Sequence, residues 1–215
     1  MTTWIENPEG GRARGPIGLV RAWIEVIVRP KRFFRNGIAP GDQAPGLVFA
    51  ILVSVVHVAT RFAFFPESVP GRESEQPIVW LVLTFIVVAV FVTPVVLHLV
   101  AALQTVLLVP LVDDRAGVSK TVQVIAYAVA PCAVSGLSLP ALWLARGSST
   151  VVISTLPLLW LLTAVYGAVL LVIGIAVVHD TSIPRAAIAT VLPAVFVFGY
   201  GFLGVRAFEL LVMLF

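Results

Sequence analysis

Residues 78–112 read IVWLVLTFIVVAVFVTPVVLHLVAALQTVLLVPLV, a run without a single Asp, Glu, Lys or Arg. About 20 consecutive apolar residues are enough for a helix to cross the roughly 30 Å hydrocarbon core of a bilayer. This stretch is too long for one straight span and too short for two with a loop between them. A tilted helix that kinks at Pro94 and continues past the interface to Pro110 fits best. In water such a run would need a polar shell, and the chain has none to give. Of its 215 residues, 60% are hydrophobic and 12% are charged, and the mean hydropathy is +1.05. Soluble domains run near roughly 45–50% apolar and about 25% charged.

Working outward, four more apolar segments have spanning length: 45–65, 121–145, 151–178 and 186–214. The expected fold is therefore an all-α polytopic transmembrane bundle of about five spans, occupying residues 44–215. Pro94, Pro131, Pro140, Pro157 and Pro193 fall inside these spans. Proline is tolerated in membrane helices where neighbouring groups re-satisfy the freed carbonyl. Small residues recur at helical spacing, as Ala126 and Ala130, Ala164 and Ala168, Gly167 and Gly174, and suit close helix approach.

Residues 1–43 are the only polar stretch of any size. Residues 1–16 are polar and the long apolar run begins only near Ala44, which argues against a cleavable signal peptide. Within the segment, residues 16–29 place Ile17, Val20, Ile24, Ile27 and Val28 at helical spacing, interrupted by Arg21 and Glu25. Too short and too charged to span, they read as an interfacial amphipathic helix ahead of the bundle. Trp23, Arg29, Lys31, Arg32, Phe33, Phe34 and Arg35 form the expected membrane-surface contact, cations and aromatics suited to an anionic inner leaflet. The excess of Arg and Lys here sets the orientation: N-terminus cytoplasmic, C-terminus outside, multi-pass in the cell membrane. The net charge of +3 reports this segment rather than an affinity for nucleic acid.

Candidate chemistry is sparse. No H-E-x-x-H occurs and no acidic residue lies in the middle of a predicted span, so neither a metalloprotease nor a carboxylate-coupled transporter is suggested. Cys132 is alone, which excludes an internal disulfide. Asp113 and Asp114 are adjacent, but chelation wants oxygen ligands that the local sequence does not provide. His179–Asp180, with Ser182 as a helix cap, closes the fourth span. Ser135–Gly136 resembles the nucleophile pair of a serine intramembrane protease, although Ala133 stands where that motif wants Gly. The remaining polar residues at depth are His57 and Arg61, four apart on one face, and His98 and Gln104 beyond Pro94. They form a possible intramembrane polar patch, although for His98 and Gln104 a bond to a neighbouring carbonyl explains each as well. No catalytic residue, metal or cofactor is expected.

Three ordered motifs carry a family resemblance. The first is Trp23 followed by Arg29, Pro30, Phe33 and Phe34. The second is K-T-x-x-x-x-A-Y-A-x-x-P, with Lys120, Thr121, Ala126, Tyr127, Ala128 and Pro131. The third is I-G-x-x-x-x-H ahead of S-x-x-R-A, with Ile173, Gly174, His179, Ser182, Arg185 and Ala186. Together they cover roughly residues 20–190, and in this the chain resembles the Yip family of five-helix membrane proteins, named for interaction with Ypt/Rab GTPases, in its prokaryotic branch. The resemblance implies five spans, a cytoplasmic N-terminus and a non-enzymatic scaffold or trafficking adaptor. The acidic-aromatic D-L-x-G-P motif of eukaryotic members is missing, so GTPase interaction does not carry over.

Two functions follow as expectations. The first is a non-catalytic membrane scaffold or adaptor that organises other membrane components, with the lipid bilayer and other membrane proteins as partners. The alternative is a small transporter or channel subunit whose path runs near His57, Arg61, His98 and Gln104. An intramembrane enzyme would need a histidine within reach of Ser135.

Overall fold

A backbone surrounded by hydrocarbon must bond its own polar groups, and a helix does so within one segment. The computed structural model describes residues 5–6, 12–13, 15–38, 41–64, 66–112, 116–137 and 149–201. A two-residue antiparallel pairing joins β1 (Ile5–Glu6) to β2 (Arg12–Ala13). The other regular elements among these residues are helical. Helix α1 (Gly15–Val28) and the short α2 (Pro30–Asn36) precede α3 (Ala44–Phe64). Then come α4 (Pro77–Ile86), α5 (Thr93–Leu108), α6 (Val118–Ala128), α7 (Ser149–Val178) and α8 (Ile183–Ala194).

Among the described residues four stretches are long and apolar enough to cross a membrane: Ala44–Ala63, Pro77–Leu108, Val118–Gly136 and Leu159–Val178. A shorter apolar helix covers Ile183–Phe198. The chain is thus an all-helical membrane bundle. The last predicted span, 186–214, is described only to Gly201. The outer part of the third, with Pro140, lies outside the described residues, as do Asp113, Asp114 and Arg115.

Prolines set where the helices change pitch. Ahead of Pro94 the second span widens into a π segment, Val87–Val92, closed by the Thr93 N–H bonding the Val88 carbonyl. The chain thus stays helical through Pro94, with the π segment just ahead of it. In the third span α6 tightens after Ala128 into a 3-10 segment, Ala130–Leu137, that contains Pro131. Pro193 sits inside α8, and the π segment Val195–Gly201 follows it. Such departures are what a missing N–H forces on a hydrogen-bond ladder.

The end of α7 is closed by backbone rather than by a side chain. Asp180 takes a left-handed conformation, φ 45°, and the Thr181 N–H bonds the Ala176 carbonyl 3.0 Å away. This is the six-to-one bond of a Schellman end to α7. Ser182 occupies the N-cap of α8 but makes no side-chain capping bond, contrary to the sequence reading.

The third span is the most enclosed of the four and the second the least. Helix α6 contacts α3, α5 and α7, and every residue from Thr121 to Ala128 is buried. Tyr127 lies at the centre, its ring 4.7 Å from Phe33 and 4.9 Å from Phe49. Further along the same span, Gly136 brings the 3-10 segment onto α3. A Cβ there would lie 2.0 Å from Thr60 Oγ1 and 2.8 Å from the His57 carbonyl. The second of these neighbours is backbone and cannot swing aside. Gly136→Ala is therefore expected to destabilise the bundle by about 1–3 kcal/mol, read as a lowered thermal midpoint in mild detergent. An unchanged midpoint would mean that the two segments have room between them.

Candidate functional site

The motifs quoted from the sequence meet in space. Trp23 Nε1 on α1 donates to the Ala130 carbonyl at 2.9 Å, where α6 gives way to the 3-10 segment. Phe33 on α2 sets its ring edge-on to Tyr127. Phe34 covers Gly174 on α7, where a Cβ would come within 3.0 Å of its Cζ. At the end of α7, His179 accepts the Ala116 N–H on Nδ1 at 3.2 Å. Its Nε2 therefore carries the proton and donates to Thr121 Oγ1 at 3.1 Å, and Thr121 in turn donates to the Gly117 carbonyl. Gly117 can turn this corner because its φ is +86°. These residues make a continuous seam between the N-terminal helices, α6 and α7. The sequence marks His179 as the end of a span and as a motif residue, but does not pair it with Thr121, 58 residues away.

The seam corrects part of the surface assignment. Phe33 and Phe34 do not face the membrane surface: they are 2% and 1% exposed. Trp23 is half-buried by its bond to Ala130. Arg29, Lys31, Arg32 and Arg35 are exposed. Helix α2 is thus two-faced, aromatics inward and cations outward. Helix α1 is also packed against the bundle, through Gly18, Ala22 and Val26, rather than floating on headgroups alone. Tyr166 on α7 reinforces the docking by donating its hydroxyl to the Ile27 carbonyl.

The polar residues at depth are held in three separate places. His57 Nδ1 lies 2.7 Å from Ser135 Oγ and 3.3 Å from the Cys132 carbonyl. A carbonyl only accepts, so Nδ1 carries the proton and donates to both. Ser135 gives its own proton to the Cys132 carbonyl at 2.6 Å. This is the reverse of a serine hydrolase, where the imidazole must accept the serine proton. Gly136, the next residue, is pressed against α3. Arg61 lies one turn beyond His57 on α3 and is half-buried.

His98 is exposed on α5, bonded by Nδ1 to the Pro94 carbonyl at 2.7 Å and by Nε2 to Gln43 at 3.2 Å. Gln104, fully buried, donates from Nε2 to the Ala189 carbonyl of α8 at 3.1 Å, leaving its Oε1 without a bond among the described residues. The position of that carbonyl explains the bond. In a regular helix the Ala189 carbonyl is bonded by the N–H four residues on, and that residue is Pro193. Gln104 supplies the donor that proline lacks. Among the described residues no three His, Cys, Asp or Glu side chains converge as a metal site.

Gln104→Leu is expected to lower stability by about 1–2 kcal/mol. In a Pro193→Ala background it should cost markedly less, because the restored backbone N–H can bond the Ala189 carbonyl. Equal losses in both backgrounds, measured as unfolding midpoints in detergent, would show that Gln104 does not serve that carbonyl.

Comparison with known proteins adds one finding. No curated protein and no solved structure matches the chain. The model of the Yip1 domain matches residues 24–205, from just after Trp23 to the neighbourhood of the last π segment. The matched range takes in the Phe33–Tyr127 contact, Gly174 and the His179 corner, and covers well over half of the sequence. The chain belongs to the Yip1 domain family of membrane proteins.

Proposed function

We propose that this protein is a non-catalytic membrane scaffold or adaptor that organises other membrane components. In this reading it sits multi-pass in the cell membrane with its N-terminus cytoplasmic and its C-terminus outside. The supporting observation is how the intramembrane polar groups are used. His57, Gln104 and Trp23 each bond a residue of another helix or its 3-10 extension, so they hold the bundle together rather than face a substrate. What the second span turns outward is largely apolar. The second span exposes Trp80, Val90, Phe91, Val95, Leu99 and Val106 along its length, a face suited to lateral packing with another membrane protein. Membership of the Yip1 domain family supports a membrane protein without a catalytic role.

The transporter alternative is less favoured. It requires His57, Arg61, His98 and Gln104 around one hydrated path, and the bonds of His57, His98 and Gln104 lead to different elements.

Photo-crosslinking in native membranes tests the proposal. A photoreactive residue at Leu99 or Val106 is expected to yield a reproducible protein adduct by mass spectrometry, and one at buried Ala126 to yield none. Adducts to lipid alone at both exposed positions would count against the scaffold. So would solute flux in proteoliposomes that His98→Phe or Gln104→Leu abolishes, which would move the assignment to transport.

A further inference from the structure

We propose that the corner between α1 and α2 binds the headgroups of anionic phospholipids, separately from any protein partner of the spans. The argument starts from what the two helices leave uncovered. With Gly18, Ala22 and Val26 packed inward, α1 turns Ile17, Val20, Ile24 and Val28 outward, at 77%, 53%, 49% and 65% exposure. Their spacing of three and four residues makes them one stripe along the helix. Arg21 is exposed on the same face.

Helix α2 continues the surface with charge. Lys31, Arg32 and Arg35 fall on the side opposite the buried Phe33 and Phe34, and Arg29 stands at its N-terminal end. Among the described residues no carboxylate pairs with Arg29, Lys31, Arg32 or Arg35. Four cations are thus held close together on a short helix that two aromatic anchors fix to the bundle. Like charges so placed repel one another, and an anionic partner removes that cost.

The apolar stripe identifies the partner. An acidic protein segment would meet the cations but leave Ile17, Val20, Ile24 and Val28 in water. A leaflet of anionic lipid supplies phosphate to the cations and acyl chains to the stripe beside them. The anchoring of α2 also gives the headgroup a surface already in place, so little ordering is needed on binding.

The test uses the full chain purified in mild detergent and offered equimolar phosphatidylglycerol and phosphatidylcholine of matched acyl chains, with native mass spectrometry as the readout. The wild type should retain phosphatidylglycerol over phosphatidylcholine by about fivefold or more, and the combined Arg29→Gln, Lys31→Gln, Arg32→Gln, Arg35→Gln variant should retain the two nearly equally. Arg72→Gln with Arg185→Gln, which removes charge elsewhere, should keep the preference. Should the fourfold variant fail to melt cooperatively, Lys31→Gln with Arg35→Gln is the substitute, with an intermediate preference expected. Equal retention of both lipids by the wild type overturns the proposal, as does an undiminished preference in either folded variant. A wild type that ignores phosphatidylglycerol yet binds an acidic peptide through these residues would reassign the surface to a protein and also overturn it.

Discussion

A proline inside a membrane helix leaves a carbonyl without its donor, and hydrocarbon offers no water to replace it. Much of this bundle follows from meeting that demand. The second span widens into a π segment ahead of Pro94, and the third tightens into a 3-10 segment around Pro131. At Pro193 the remedy comes from another helix, with Gln104 bonding the Ala189 carbonyl. Two polar side chains in these spans therefore work as tie points. His57 and Gln104 each bond another element where its regular ladder is disturbed, while Ser54, Thr84, Thr105 and Thr163 bond back within their own helices.

The same economy shapes the seam between the N-terminal helices and the bundle. Phe33 and Phe34 find their places because Tyr127 presents a ring and Gly174 presents none. Trp23 finds a carbonyl at the point where α6 changes pitch. The residues that mark the family in sequence are, in this fold, a set of contacts among α1, α2, α6 and α7. A shared way of packing can thus leave motifs in a sequence as a shared reaction would.

The spans were legible because apolar length is a local property. Residues 78–112 announce a membrane helix without reference to anything else in the chain. The pitch changes were half legible, since Pro94, Pro131 and Pro193 are visible but the choice among kink, π and 3-10 depends on neighbours. The docking of α2 was not legible. Phe33 and Phe34 beside four cations fit a headgroup surface as well as a core, and only the positions of Tyr127 and Gly174 decide between them. Nor could His57 be matched to Ser135, 78 residues away, or Gln104 to a carbonyl 85 residues away. Arg29, Lys31, Arg32 and Arg35 lie exposed, as their charge alone dictates.

The contacts that seat the N-terminal helices have a consequence for the timing of biosynthesis. Trp23 waits for a partner 107 residues further on, and Ile27 for one 139 residues further on. Ribosomes add about 5–20 residues per second, so α1 and α2 exist for roughly 5–30 s before α7 is complete. Until α6 and α7 are made, Ala22, Val26, Phe33 and Phe34 lack the helices that cover them. A nascent segment that is apolar along one helix and cationic along the next is suited to rest on a bilayer surface meanwhile. Helices made before the spans are thus among the last to be packed, and their composition suits them to the wait.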